Sequence, residues 1–316
     1  MLFGQKKPEG KTVLLLDVDN GSVGAALVRL EVDKAPRLFG ETREYMRAPA
    51  TRDTQSLMQA IGTSARTVLG KAAEVAGRLR NSSSLQARDA GVISEAKIFL
   101  SAPWGLPDLA GEPVFVPPME QLLRESLAGP LAGTPVTLHT AAGGMLGGAR
   151  QVLPYEESYL LCLIGSEVSE LLLVSGGLPS AYATAPFGRH TVVRTLRTHG
   201  GLTDEEAHSL FALRGAPHEA AAEASRHFAE GFADAAGDIL TGTPAAKVFV
   251  LAHGNSGEWF ARALSASPAM SELFPRGGVV RALGARHVSP FLTAHSQEPD
   301  LMLGLEALFT NDSLKW

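Results

Sequence analysis

The run Thr12-Val13-Leu14-Leu15-Leu16-Asp17-Val18-Asp19-Asn20-Gly21-Ser22-Val23 decides the reading of this chain. Its unbroken aliphatic stretch at 13–16 predicts a strand buried on both faces. Asp19-Asn20-Gly21 then predicts a tight hairpin, because these residues tolerate positive φ. Residues 23–32 return as a second strand, and 37–46 supply a third. Pro49 and the polar run 51–53 break the chain. From 54 to 79 the spacing turns helical, with Leu57, Ile61, Val68, Leu69, Ala72, Val75, Ala76 and Leu79 near one face. Residues 96–101 form another apolar strand.

The same element order recurs in the second half, without obvious sequence identity. Strands are predicted at 158–164, 169–174 and 178–185, joined by turns at Gly165-Ser166-Glu167 and Ser175-Gly176-Gly177. Gly188 opens a helix through Val192, Val193 and Leu196. Thr203 and Glu206 have capping-box spacing for a further helix. Phe228, Phe232, Ala236 and Ile239 put an apolar stripe on a helix at 216–240. A strand at 247–252 leads through His253-Gly254-Asn255-Ser256-Gly257 into a helix at 258–264, and 299–309 reads as a closing helix. Between the halves, 103–135 is rich in Pro and Gly, and a short helix at 119–127 is its clearest element.

Composition excludes several function classes. The chain has 316 residues, 45% of them hydrophobic and 19% charged, which supports a large core and excludes global disorder. The net charge of −5 carries no electrostatic footprint for nucleic acid. The single cysteine, Cys162, excludes an internal disulfide framework; mid-strand among leucines, it reads as a small buried hydrophobe. No apolar run reaches the ~20 residues that span a bilayer, and the N-terminus has no signal-peptide core, so a cytoplasmic protein is expected. Met1 to Phe3 with Lys6 and Lys7 is read as a solvated tail.

Two glycine-containing hairpins that face each other across a pseudo-dimer would make a cleft whose backbone N–H groups cradle phosphates. The candidates are 16–22 and 164–170, with the strand-to-helix turn at 251–255 as a third wall. At this level the chain resembles the actin-like ATPase superfamily, in the branch that holds the cell-division protein FtsA and the type IV pilus assembly protein PilM. The first-phosphate motif looks like Leu15-Leu16-Asp17-Val18-Asp19-Asn20-Gly21-Ser22, and the second is similar to Leu163-Ile164-Gly165 with Ser169 and Glu170. Pro186-Phe187-Gly188-Arg189-His190 looks like the segment that follows. Gly201-Leu202-Thr203-Asp204-Glu205-Glu206-Ala207 looks like the family's Glu-Glu-Ala segment. Val250-Leu251-Ala252-His253-Gly254 resembles the adenosine turn, and 299–308 the closing helix.

The resemblance implies an α/β, actin-like (duplicated ribonuclease H-like) two-lobed fold. Its first lobe is 1–155, with a small insertion near 102–135. The second lobe is 156–290, and 291–316 returns to the first as a C-terminal helix. The implied nucleotide contacts are Asp17, Asn20, Gly21, Ser22, Gly165, Ser166, Ser169, Glu170, Gly254 and Asn255, with ATP and magnesium as the implied cofactors and Asp17 on the metal side. The departures from the family pattern argue against fast hydrolysis. Asp19 stands where glycine is expected, Leu163 where a metal-side acid is expected, and Glu170 where an aspartate is usual. Arg189 and His253 replace glycines.

The function implied is a cytoplasmic scaffold of a type IV pilus or related inner-membrane assembly complex, weak or inactive as an ATPase. It would sit at the inner membrane through a membrane-anchored assembly protein, bound by that protein's cytoplasmic tail, with self-association as a further property. Trp104 and Phe115 are the candidate partner anchors, because apolar residues crowd the proline-broken segment around them. The alternative is an active ATPase or a small-molecule kinase using the same cleft. Other chemistries lack their signatures. Gly10-Lys11-Thr12 mimics the end of a P-loop but precedes a strand, and no Gly-x-Ser-x-Gly elbow or His-Glu-x-x-His occurs. The nine histidines read as surface or packing residues.

Overall fold

The computed structural model describes residues 10–47, 53–129, 131–203, 205–207, 209, 219–240, 247–254, 256–274, 277–294, 296 and 298–312. The expected hairpin is β1 (Gly10–Asp19) and β2 (Ser22–Glu31), closed with Asp19 opposite Ser22. β3 (Arg37–Tyr45) runs antiparallel to β2. α1 (Thr54–Arg80) starts at Asp53, whose carboxylate accepts from the N–H groups of Gln55 and Ser56, and α2 (Leu85–Ala90) follows. β4 (Ile93–Leu100) then pairs parallel with β1. A pair of two-residue antiparallel strands, β5 (Gly105–Leu106) and β6 (Val114–Phe115), leads into α3 (Pro117–Ala128). β7 (Val136–Thr140) lies parallel to β4, and α4 (Ala141–Val152) leaves the lobe.

The second half repeats this plan. β8 (Tyr159–Ile164), β9 (Ser169–Ser175) and β10 (Leu178–Ala185) form the antiparallel meander. α5 (Arg189–Gly200) and α6 (Glu219–Leu240) cross over to β11 (Lys247–Ala252), which is parallel to β8. α7 (Gly257–Ser265) and α8 (Pro268–Leu273) precede β12 (Val279–Ala282), parallel to β11. The two sheets therefore share one strand order, β3-β2-β1-β4-β7 and β10-β9-β8-β11-β12. After α9 (Ala285–Val288), β13 (Thr293–Ala294) adds to the free edge of β3, and α10 (Leu301–Asp312) packs on α4 and β1. The chain's end thus returns to the first sheet. Among the described residues no helix is long and apolar enough to cross a membrane.

Both central strands are buried on both faces, and the two faces feed different cores. Val13 and Leu15 of β1 share one core with Leu161 and Leu163 of β8, α4 and α10. Leu14, Leu16 and Val18 point to the other side, under α1 and α3. Leu160, Cys162 and Ile164 pack beneath α5, α6 and α7. The α4–α10 pair is therefore a layer held between the two sheets. Burial lifts the Cys162 thiol well above its ordinary range, so it is inert packing.

The strand pattern does not reveal α4, whose Ala141-Ala142-Gly143-Gly144-Met145-Leu146-Gly147-Gly148 sequence has poor helix propensity. Tertiary packing overrides that cost. A Cβ on Gly148 would stand 2.3 Å from the Leu305 carbonyl oxygen, so the glycine is what lets α10 approach. The inserted segment also differs from expectation. Trp104 is 3% exposed and packs in the first-lobe core with Met119, Leu123 and Leu127 of α3. This corrects the reading of Trp104 as an exposed anchoring ring: α3 supplies enough apolar surface to bury it. Phe115 is half-buried against the same core.

Candidate functional site

The β1–β2 and β8–β9 hairpins meet tip to tip, as the paired-loop reading requires. What lies between them is protein. The carboxylate of Asp19 accepts from the Ser166 hydroxyl at 2.6 Å and the Ser166 N–H at 3.2 Å. Asn20 accepts from the Glu167 N–H through its amide oxygen at 2.7 Å and donates to the Ala102 carbonyl at 3.0 Å. The second loop's backbone donors, which would cradle a phosphate, are thus taken by side chains of the first loop. Asp19, Asn20 and Ser166 are all within 1% of complete burial.

Glycine makes this contact sterically attainable. A Cβ on Gly21 would lie 2.2 Å from the Ser166 Cβ and 2.6 Å from the His190 ring. One on Gly165 would lie 2.9 Å from the Asp19 carboxylate. We expect Gly21→Ala to destabilise the protein by roughly 2 kcal/mol through overpacking at the hairpin tips. Urea unfolding measures this, and a change under about 0.5 kcal/mol would mean that the tips do not touch in solution.

The family departures assemble around this contact. Arg189 donates to the Ser166 hydroxyl at 3.0 Å and lies over the Tyr45 ring at 5.0 Å. His253 Nε2 stands 3.7 Å from Asp19. Burial, with Arg43 and Arg189 nearby, pushes the His253 pKa well down, so its ring is neutral. Gly254, at φ +62°, turns the third loop toward Tyr45. Asn255 lies outside the described residues, as do Asp204 and the 1–9 tail. Thr203 and Glu206 do form their reciprocal cap.

Asp17 lines the cleft, and its carboxylate is held by protein. Its carboxylate accepts from Arg43 at 2.6 Å, and Arg43 also binds Asp300 at 2.6 Å and the Ser22 hydroxyl at 3.1 Å. Burial raises Asp17 to about 6 despite Arg43. Asp300 also caps α10, accepting from the Met302 and Leu303 N–H groups. Burial would raise its pKa, but Arg43 outweighs that and holds it low. Glu306 on α10 is driven far up by burial and by Asp17, so it is a neutral acid. Ser169 donates to the Phe187 carbonyl at 2.8 Å and supports the loop from behind.

Glu170 joins the lobes from the other side, accepting from the Ala102 N–H at 3.0 Å and the Tyr182 hydroxyl at 2.8 Å. Burial is the main reason its pKa rises from 4.5 to about 7. The folded state therefore holds a proton that the unfolded chain has lost, and this contribution falls away as pH rises from 4.5 through 7. Neutral His253 acts in the opposite sense, losing stability as pH falls below 6.5. Glu170→Gln separates the two. Its stability relative to wild type should rise by about 1 kcal/mol between pH 6 and pH 8. A flat difference across that range in urea titrations would show that Glu170 is ionised throughout.

Arg43, Asp300, Tyr182 and Glu306 carry no motif and escape sequence reading. A second buried network is equally silent: Glu167 takes two bonds of 2.7 Å from Arg194 and lies 3.0 Å from His190. Burial would raise Glu167, but these partners hold it at about 2. The one usable signal was Pro299-Asp300 before an apolar run, a helix-start pattern.

The described residues of this set leave no room for a nucleotide's phosphates in this arrangement. Asp17, Leu163, Gly165, Glu170 and His253 line a cavity of about 10 Å³, room for about one water molecule. Among the described residues, no group of three or more His, Cys, Asp or Glu side chains could hold a metal ion.

No family model matches the chain, and no curated protein matches it. Solved structures do. A chain of a PilM-PilN type IV pilus biogenesis complex is similar with a TM-score of 0.64 at 13% identity, covering 95% of this chain and 98% of that one. Ethanolamine utilization protein EutJ from Carboxydothermus hydrogenoformans gives a TM-score of 0.56 at 15% identity, covering 96% and 90%. A ROK family glucokinase from Streptomyces griseus, solved with glucose and AMPPNP, gives 0.54 at 13%, covering 96% and 98%. The fold is thus the actin-like two-domain fold.

Proposed function

We propose that this chain is a scaffold of actin-like fold that works without nucleotide, holding the cytoplasmic tail of a membrane-anchored assembly protein. One observation carries the reading: Asp19 and Asn20 occupy the Ser166 and Glu167 donors that a phosphate would use. The carboxylate stands in for the phosphate, and Arg189 supplies the cation beside it. The lobes are closed by the chain's own side chains, so their closure needs no ligand. Leu163 in place of a metal-side acid points the same way.

The partner follows from the likeness to a chain of a PilM-PilN complex. Such a partner would place the protein at the inner face of the cell membrane. The docking surface we assign is the β5–β6 hairpin of the first lobe, where Leu106, Leu109 and Val114 are exposed around Phe115. A pulldown from membrane extract tests this. Val114→Asp should lose the partner and Tyr155→Asp, on the far connection, should keep it, with equal recovery in EDTA and in ATP with magnesium. Recovery that depends on ATP, or that is equal in both variants, contradicts the proposal.

A further inference from the structure

Far from the hairpin tips, at the other end of β1 and β2, a second cavity of about 320 Å³ opens between β2, the start of β3 and the α1–α2 connection. That is within the roughly 300–1,000 Å³ range of small-ligand pockets. Its inner wall is Arg29, only 7% exposed. A guanidinium offers five donors, and burial makes each unmet one costly. Yet Arg29 Nη1 reaches the Thr12 hydroxyl at 3.5 Å and the Asp89 carbonyl at 3.4 Å, and Nε stands 3.7 Å from Glu31. All exceed the ~2.7–3.2 Å of a well-formed bond. Arg43, similarly buried, makes bonds of 2.6 Å.

The rest of the wall is equally specific. Glu31 is turned to Lys34 at 2.5 Å, and the Lys34 hydrogen bond holds its carboxyl below the usual range. Arg37 is exposed at the rim, 5.5 Å from the centre of the Phe39 ring. Phe39 and Leu79 give the cavity an apolar side. Arg29, Lys34 and Arg37 face the two carboxylates of Glu31 and Asp89, a surplus of one positive charge.

We propose that this cavity binds a singly charged carboxylate carrying a short apolar stem. The Arg29 fork takes both oxygens, the planar match that a carboxylate offers. Arg37 closes over the anion from the rim, and the stem lies on Phe39 and Leu79. A phosphate dianion brings more negative charge than the surplus and meets Glu31 and Asp89. The carboxylate can come from a free small acid or from the C-terminus of a peptide. This site is independent of the hairpin contact and of the docking surface.

Calorimetry on the full chain in chloride buffer tests the inference, with sodium propionate, tri-alanine, tri-alanine amide and inorganic phosphate as probes. One of the two acids should bind saturably, and the tighter one identifies the source; the amide should not bind. Arg37→Ala, at an exposed position, should weaken binding about tenfold. Arg29→Lys keeps the charge but loses the fork, and should weaken it at least as much. No saturable binding of either acid up to about 50 mM overturns the proposal. So does phosphate binding as tightly as the acids, amide binding as tightly as acid, or unchanged affinity in Arg37→Ala.

Discussion

Asp19→Gly should lower the free energy of unfolding by about 3–5 kcal/mol, although glycine is the residue that the resemblance leads one to expect there. The loss has three sources. The Ser166 hydroxyl and N–H lose their shared acceptor. The Asn20 N–H, 2.7 Å from the same carboxylate, loses its partner too. Arg189, half-buried and with its buried Nε already unbonded, is left without the negative charge that compensates it. Asp19→Asn keeps the shape and one acceptor oxygen but loses the charge and the second acceptor, so it should cost roughly half as much. Urea unfolding with the m-value monitored measures both. A neutral Asp19→Gly would mean that the carboxylate does not join the lobes.

Arg43→Met should cost a comparable 3–5 kcal/mol, because it breaks a buried ion network from one side. Arg43 ties β3 to Asp17 of β1, to Ser22 of β2 and to Asp300 at the start of α10. Its removal strands two carboxylates, with Asp17 2% exposed. Asp17→Asn in the Arg43→Met background should restore about 1–2 kcal/mol, since the stranded charge is then gone. Strict additivity of the two changes would show that Arg43 acts through packing alone.

The fold was legible where burial and turn chemistry spoke together. The aliphatic run at 13–16 and Asp19-Asn20-Gly21 locate the first hairpin, and the same logic finds β8–β9. The fifth strand of each sheet escaped. β7, Val136-Thr137-Leu138-His139-Thr140, is short and partly polar, and β12 covers only Val279 to Ala282. α4 escaped because its glycines serve the approach of α10, a contact of high sequence separation that no local pattern records.

The candidate site was legible as a set of loops and not as a set of bonds. Gly21, Ser22, Gly165 and Ser166 do come together, but the expected phosphate position holds the carboxylate of Asp19. Read locally, Asp19 adds negative charge where phosphates belong. Read across the lobes, it accepts from the donors of the facing loop. Arg189 and His253 look like isolated departures in the sequence, and only the fold shows that both flank Asp19. Arg43 could not be found, because an arginine on a third strand has no partner until the sheets are assembled.

The central claim, closure of the lobes without nucleotide, is tested most directly by calorimetric titration of wild-type protein with a non-hydrolysable ATP analogue, with and without magnesium. The account predicts no saturable heat and no shift in melting temperature in either condition. Magnesium-dependent binding in the micromolar range, lost in Gly21→Val, would contradict it: the hairpins would then part for a phosphate, and Asp19 would be a gate in place of a substitute.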